Sequence, residues 1–228
     1  QLWTLFNSDT SYFANKRTDS MAERDRGVGM KNVLIIGATG TLGSAVRQKL
    51  LKESNHHLTL FARSADQLDP NPQEQIIAGN VMNDADLDSA VKNQDAIFVA
   101  LSGPLGVYAE KIIAAMKRQK VARLIFITSM GIYNEIPNSI GVGGNLEYNP
   151  VLRPYRDAAD KIEATDLDYT IIRPGKFMRG PVDYEITHKG EPFGGKYVTI
   201  SSIADLVLKL IANEHLYCQE SVGINTPA

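Results

Sequence analysis

The sequence predicts an α/β fold in which a doubly wound parallel sheet carries helices on both faces. Two observations lead to this prediction. Short β-branched segments that are apolar on both faces alternate along the chain with segments of helical periodicity, as in βαβ units. The first apolar segment also runs directly into the spacing G-x-x-G-x-x-G, at Gly37, Gly40 and Gly43, and a helix-like pattern follows at once.

Each element has its own signal. The apolar runs predict strands at Val33–Ile36, Leu58–Ala62, Gln75–Ala78, Ala96–Ala100, Leu124–Thr128 and Tyr169–Ile172. Apolar spacing and caps predict five helices. The first carries Leu42, Val46 and Leu50 on one face, the second runs from the N-cap Asp84 to Val91, and the fourth runs from Tyr155 to Ala164. The third has the apolar stripe Leu105, Tyr108, Ile112, Ile113 and Met116, and the fifth, capped by Ser201, has the stripe Ile203, Leu206, Val207, Leu210 and Ile211. These stripes are interpreted as core packing.

Composition narrows the classes of function. The chain has 228 residues, a formal net charge of −2 and no long basic run, so nucleic acid is not an expected partner. The single cysteine, Cys218, excludes an internal disulfide and favours a cytoplasmic location. No apolar run approaches the ~20 residues of a membrane span. We therefore expect no contact with a membrane. His56, His57, His188 and His215 lack metal-ligand spacing, so no metal is expected either.

Residues 1–29 differ from the rest of the chain. They include Gln1, which is not a natural initiator, and a polar stretch from Asn7 to Gly29 without sustained periodicity. We interpret residues 1–29 as a mobile N-terminal leader, with Met30 as the start of one nucleotide-binding domain over residues 30–228.

The glycine loop has the residues that a pyrophosphate site needs. Gly37 permits the tight turn, Gly40 lets the main chain approach the phosphates, and Gly43 lets the helix lie close to the strand. The anion is expected at the free N–H groups and positive dipole of the helix start. The predicted loop contacts are Gly37, Thr39, Gly40, Thr41, Leu42 and Gly43.

Ligands of such sheets bind beyond the carboxyl ends of the strands, so the segments after the other strands supply further candidates. Arg63 and Ser64 stand where an NAD-specific site carries an acidic residue. A guanidinium there suits a 2′-phosphate, which favours NADP(H) over NAD(H); a solvated surface arginine is the alternative. The remaining cofactor candidates are Asn80 and Val81 at the adenine, Leu101 and Ser102 below the phosphates and ribose, Thr128 and Ser129 near the nicotinamide, and Pro174 and Gly175 as an elbow lining its pocket.

These segments together resemble the short-chain dehydrogenase/reductase superfamily, and within it the atypical NmrA-like branch. The resemblance rests on the segments 37–43, 61–63, 79–81, 127–131 and 167–175, and it extends from Met30 to the C-terminus. It implies a Rossmann-type sheet, NAD(P)(H) as cofactor, and a small substrate-side region built from the C-terminal loops.

One departure from the family pattern affects the expected chemistry. Catalytic members carry a Tyr-x-x-x-Lys pair, in which the lysine lowers the pKa of the tyrosine. Here Arg156 takes the lysine position and Leu152 the tyrosine position, whereas Tyr155 has Ala159 four residues later. Arg156 can hold a ribose hydroxyl or a phosphate, but an arginine is a poor proton relay.

The catalytic candidates are therefore Ser129, Tyr133 and Arg156, with a packing role as the alternative for Tyr133. A substrate pocket is expected from Lys176, Phe177, Met178, Arg179, Tyr184 and His188, with the segment 141–144 as a mobile lid. Reduction of a conjugated or aromatic acceptor, such as a quinone or a flavin, depends more on orientation than on a tuned acid. The expected function is an NADPH-dependent oxidoreductase of such a small-molecule acceptor. The alternative is a non-catalytic NADP(H) sensor that acts through a protein partner. A nucleotide-sugar epimerase or lyase is a third option, which the missing Tyr-Lys pair and the short substrate region disfavour.

Overall fold

Ten strands are found in residues 29–228, the part of the chain that the computed structural model describes. The leader predicted for residues 1–29 therefore lies, apart from Gly29, outside the described residues. The strands are β1 Asn32–Ile36, β2 His57–Ala62, β3 Glu74–Ala78, β4 Ala96–Val99, β5 Arg123–Ile127, β6 Asp168–Pro174, β7 Lys176–Met178, β8 Glu185–His188, β9 Tyr197–Thr199 and β10 Glu220–Asn225.

Eight of these strands form one sheet in the order β3-β2-β1-β4-β5-β6-β10-β8, and β7 and β9 form a separate pair. Every neighbouring pair in the large sheet is parallel except β10 with β8. The strand order reverses between β1 and β4, which makes the carboxyl ends of these two strands the switch point where ligands bind in such sheets. The doubly wound parallel sheet predicted from the sequence is confirmed.

Helices cover both faces of this sheet. They are α1 Thr41–Glu53, α2 Asp84–Val91, α3 Leu105–Gln119, α4 Arg153–Glu163 and α5 Ile200–Ala212. In β1, Leu34 and Ile36 pack in the core beneath α2, α3 and α4, whereas Val33 and Ile35 pack in the core beneath α1 and α5. This alternation buries both faces of the strand, which explains why β1 is an unbroken apolar run.

Two of the predicted helix caps were wrong. Asp84 is the first residue of α2, and the cap is Asn83, whose side chain accepts from a backbone N–H three residues later at 2.9 Å. Ser201 lies inside α5, which is capped by Thr199 through a bond from the Ser202 N–H at 3.2 Å. In both cases a polar residue one or two positions earlier in the chain has the extended backbone that an N-cap requires.

The six predicted strands are confirmed as β1 to β6, but the four later ones were missed. Three of these, β7, β8 and β9, have only three or four residues and are partly exposed, so they lack an apolar run. The fourth, β10, pairs with β6 in the register Val222↔Ile172 and extends the main sheet. It has Gly223 at its centre, which weakens the strand signal. With their loops, these elements form the small region beyond β6.

Candidate functional site

The loop between β1 and α1 has a geometry that only glycine satisfies at two positions. Gly37 has a φ of +90°, and a Cβ atom there would lie 2.1 Å from the carbonyl oxygen of Ala100. A Cβ atom at Gly43 would lie 2.0 Å from the carbonyl oxygen of Gly37. Gly40 is different, because it is exposed and a Cβ atom there would meet only that oxygen, at 3.4 Å. The loop is therefore closed by packing at 37 and 43 and open to solvent at 40.

The start of α1 is suited to an anion. Its N-cap is Gly40, which offers no side chain to the first-turn N–H groups, and that turn contains no acidic residue. These N–H groups have no carbonyl partner inside the helix, and the dipole is positive there. No carboxylate of α1 competes for the position, so the helix start fits one end of a diphosphate.

A groove of about 580 Å³ runs from this helix start across the carboxyl ends of the strands. Of the residues predicted to bind the cofactor, it is lined by Gly37, Thr39, Gly40, Thr41, Leu42, Arg63, Ser64, Asn80, Val81, Leu101, Ser102 and Thr128. Lining residues that were not among the predicted cofactor contacts are Ile36, Phe61, Ala62, Met82, Ala100, Tyr108, Ile127, Tyr155 and Phe177. Gly43 lies behind the loop and contributes through packing.

Arg63 and Asn80 are among the polar side chains in the groove that are available to a ligand. Arg63 is exposed and has no ion pair or hydrogen bond with any described residue, so its guanidinium is free to bind an anion. Asn80 uses its side-chain oxygen to accept from the Met82 N–H at 2.9 Å, which leaves its amide hydrogens to donate. Ser64 lies beside Arg63 and donates to the Thr39 hydroxyl at 3.4 Å.

A second cavity, of about 660 Å³, adjoins the groove. The two share Thr128, Tyr155 and Phe177, so the cavity opens at the end of the groove remote from Arg63. The other lining residues are Ser129, Met130, Ile136, Ile140, Gly141, Gly143, Gly144, Asn149, Val151, Leu152, Pro174, Gly175, Lys176 and Lys196. The predicted residues Ser129, Pro174 and Gly175 thus line this second cavity and not the groove.

Tyr133 was predicted to face the pocket, and the structure corrects this. It lines neither cavity, and its hydroxyl is bound to Glu163 and, at 3.1 Å, to Ser221. Burial, together with the Glu163 hydrogen bond, raises the pKa of Tyr133. Its phenol is therefore held as a neutral structural group inside the protein.

Arg156 also lies outside both cavities. Its guanidinium donates to the Asp160 carboxylate at 2.7 Å and to the Ile132 carbonyl at 3.0 Å, and it lies 5.1 Å from the centre of the Tyr133 ring. The sequence comparison with Tyr-x-x-x-Lys placed Arg156 at the cofactor, but these partners hold it on another side of α4. The predicted contact of Arg156 with a ribose or a phosphate is not supported by this geometry.

Tyr155 is the residue that sequence reasoning missed. It is half-buried, lines both cavities, and its phenol has no hydrogen-bond partner among the described residues. Leu152 lies three residues earlier and also lines the second cavity, as expected for neighbours on one helix face. That spacing from Leu152, which takes the family's tyrosine position, is the sequence signal that points to Tyr155.

The other hydroxyls near Tyr155 already donate to the backbone. Thr128 Oγ1 donates to the Ile172 carbonyl at 3.1 Å, and Ser129 Oγ donates to the Met130 carbonyl at 2.9 Å. Tyr155 is thus the free hydroxyl among the residues that the two cavities share, and it can donate a proton to a molecule bound at their junction. Across the described residues there is no group of three or more His, Cys, Asp or Glu arranged to hold a metal ion, and no helix long and apolar enough to cross a membrane.

Replacing Gly43 by alanine should lower the free energy of unfolding by about 1–3 kcal/mol, because the Gly37 carbonyl must move away from the new methyl group. Thermal unfolding measures this effect, and titration with NADPH should show weaker binding. Gly40→Ala is the matched control for the stability measurement, since its methyl group has room and its φ of −78° suits alanine. Equal melting temperatures for the two variants would contradict the packing role of Gly43.

Comparisons with known proteins agree with this geometry. A family model described as NAD(P)H-binding matches residues 37–214, which include the loop and most of the groove. A Rossmann-fold NAD(P)-binding family protein from Shigella flexneri is 38% identical, with a TM-score of 0.76 over 88% of this chain and 95% of that one.

Two further relatives are more distant. A short-chain dehydrogenase/reductase from Veillonella parvula, solved in complex with NADP, is 24% identical, with a TM-score of 0.80 over 88% of this chain and 96% of that one. An uncharacterised sugar epimerase of Bacillus subtilis (strain 168) is 29% identical over 167 residues, which cover 65% of this chain and 73% of that protein.

Proposed function

Since the chain belongs to the NAD(P)H-binding family of Rossmann-fold proteins, we propose that it is an NADPH-dependent oxidoreductase that reduces a small conjugated or aromatic acceptor. We assign it to the atypical NmrA-like branch on the motifs described above. The observation that carries the proposal is the junction of the two cavities, where an apolar chamber meets the nucleotide groove beside one free phenol, Tyr155. The apolar part of this chamber would accept the ring system of a conjugated or aromatic molecule.

The residues of the groove fit the cofactor. The uncapped start of α1 would hold the diphosphate, and Asn80 and Val81 would lie along the adenine. The free guanidinium of Arg63 would bind a 2′-phosphate, which supports NADP(H) over NAD(H). The NADP complex of the Veillonella protein, which has the same fold, supports this choice.

The chain's own residues would orient the acceptor and supply its proton. Bound in the groove, NADPH supplies two electrons as a hydride, so that one NADPH and one proton reduce one acceptor. Tyr155 and Phe177, at the junction, offer aromatic surfaces against which a conjugated acceptor would pack. The Tyr155 hydroxyl has no other partner among the described residues and would donate the proton.

One observation favours a second candidate function, a non-catalytic NADP(H) sensor. The Thr128 and Ser129 hydroxyls both donate to backbone carbonyls, and no lysine stands four residues after Tyr155 to lower its pKa. A sensor needs the nucleotide groove but no proton donor. In this case a protein partner would distinguish the oxidised from the reduced form.

Steady-state oxidation of NADPH tests the proposal. We expect many turnovers with menadione or a free flavin and none with cyclohexanone, which is a saturated ketone without a conjugated or aromatic system. Tyr155→Phe should lower kcat about tenfold, a modest effect for a general acid, because a reduced quinone can take its proton from solvent. Tyr148→Phe is the matched control, because Tyr148 is exposed and lines neither cavity. Tight NADPH binding with no turnover across the panel would favour the sensor.

A further inference from the structure

The second cavity carries positive charge that nothing in its lining compensates. Lys176 and Lys196 line it, together with apolar residues, glycines and a few neutral polar groups. Among the residues that the structure describes, no aspartate or glutamate lines it. A bound molecule would therefore meet two ammonium groups and no carboxylate.

The backbone fixes these two lysines next to each other. Lys176 is the first residue of β7, and its N–H donates to the Lys196 carbonyl at 2.8 Å, directly before β9. Gly175 packs on the same segment, because a Cβ atom there would lie 3.0 Å from the Lys196 carbonyl oxygen. The two side chains thus begin from adjoining positions at the rim of the cavity, and a shift of one strand would move both.

Neither ammonium group has an ion-pair or hydrogen-bond partner in the described residues. Lys196 lies 5.6 Å from the centre of the Tyr197 ring, and no carboxylate lies within ion-pair distance of either lysine. Lys189 shows the contrast, since it pairs with Glu163 at 2.7 Å. Lys176 and Lys196 are exposed, so each can reach a ligand through its flexible stem.

We propose that the second cavity takes its acceptor as an anion: a flat conjugated or aromatic carboxylate whose carboxyl group lies between Lys176 and Lys196. The ring system would lie against Tyr155, Phe177 and the aliphatic wall, and the carboxylate would accept charge-assisted hydrogen bonds at the rim. This inference rests on the proposed function for its assignment of the ligand as the acceptor. The preference for an anion rests on the lysines alone.

Calorimetric titration of the NADP⁺-loaded full chain with 2-naphthoate and 2-naphthamide tests this preference. The two probes share their ring system and differ in charge. We expect 2-naphthoate to bind about tenfold more tightly than 2-naphthamide, since two partly exposed charge contacts are worth roughly that factor. Addition of salt should reduce the difference, because the lysines are exposed to solvent.

The double variant Lys176→Gln/Lys196→Gln should bring the affinity for 2-naphthoate to within about twofold of that for 2-naphthamide, since it removes both charge contacts and leaves the apolar wall. Its affinity for 2-naphthamide should not change. Lys52→Gln is the matched control, because Lys52 is exposed and lines neither cavity, and it should leave the discrimination intact.

Equal affinities for the two probes in the wild type, absence of binding by both, or discrimination that survives the double variant would each overturn the proposal. Because the titration needs no turnover, its outcome is independent of the acceptor panel. Lysine-dependent discrimination without NADPH oxidation would support the anion site and refute the reductase. Turnover without discrimination between the two probes would support the reductase and refute the anion site.

Discussion

Replacing Arg173 by methionine is expected to lower the free energy of unfolding by about 3–5 kcal/mol, and the melting temperature by roughly 10 °C. Arg173 is 1% exposed and is among the largest fully buried side chains. It forms an ion pair with Glu135, whose side chain is 6% exposed, and donates to the Ser221 hydroxyl at 3.0 Å and the Ser221 carbonyl at 3.2 Å. The variant would leave the Glu135 carboxylate buried without its counter-charge.

The same change should reach the candidate site. Arg173 directly precedes Pro174 and Gly175, which line the second cavity, and its guanidinium lies 5.1 Å from the centre of the Tyr133 ring. The Pro174 carbonyl also accepts from the Met130 N–H at 3.1 Å, which connects β6 to the segment after β5. Loss of the guanidinium should therefore weaken binding at the second cavity more than binding in the nucleotide groove.

Two variants control this prediction. Arg118→Met removes an exposed arginine that pairs with Asp88, and it should leave the melting temperature nearly unchanged because water and salt screen such pairs. The double variant Glu135→Leu/Arg173→Met should recover part of the loss, since no unpaired charge stays buried. If Arg173→Met and Arg118→Met had equal melting temperatures, the buried ion pair of Arg173 with Glu135 would contribute no more to stability than an exposed pair.

The parts of the site that could be predicted from the sequence depend on local geometry. The turn at Gly37 and the close packing of Gly43 lie within a few residues of the strand and helix that they join, so a short motif defines them. Arg63 could be placed for the same reason, because it comes directly after β2 and the strand fixes its position. Parallel strands then bring these segments to one edge of the sheet.

The parts that could not be predicted depend on contacts between distant segments. Tyr133 was assigned to the pocket by its nearness to Ser129 in sequence, but Ser221 on β10 and Glu163 on α4 bind its hydroxyl. Because β10 had no clear strand signal, Ser221 could not be expected beside Tyr133, and the helix that carries Glu163 was predicted without its packing position. Arg156 was placed from a family spacing, and only the structure shows that Asp160 and a backbone carbonyl hold its guanidinium elsewhere.

The difference between Tyr133 and Tyr155 shows how tertiary structure decides the role of a residue type. Tyr133 is surrounded by the cations of Arg156, Arg173 and Lys189, with Lys189 Nζ at 4.4 Å from its ring centre, and its hydroxyl is fully engaged. Tyr155 lies at the junction of two cavities with a free hydroxyl. A chemical role for a tyrosine follows from that access, which sequence spacing alone does not determine.

Replacing Arg63 by glutamate is expected to weaken NADPH binding about 100-fold, a loss of about 2.7 kcal/mol, while changing NADH binding by less than about threefold. Arg63 lines the groove directly after β2, and its guanidinium is exposed and free. In such folds the adenosine ribose is bound at this position. A carboxylate there would repel a 2′-phosphate and would accept a hydrogen bond from a 2′-hydroxyl.

Calorimetric titration with NADPH and NADH measures both affinities on one preparation of each variant. Lys117→Glu controls for the change in total charge, because Lys117 is exposed near the end of α3 and lines neither cavity. It should leave both affinities within about twofold of the wild type, since separation and solvent screen its charge. Equal losses for NADPH and NADH in Arg63→Glu would mean that Arg63 acts on the groove as a whole. The preference for the phosphorylated nucleotide would then have to come from another group, and Ser64 is the next donor along the same segment.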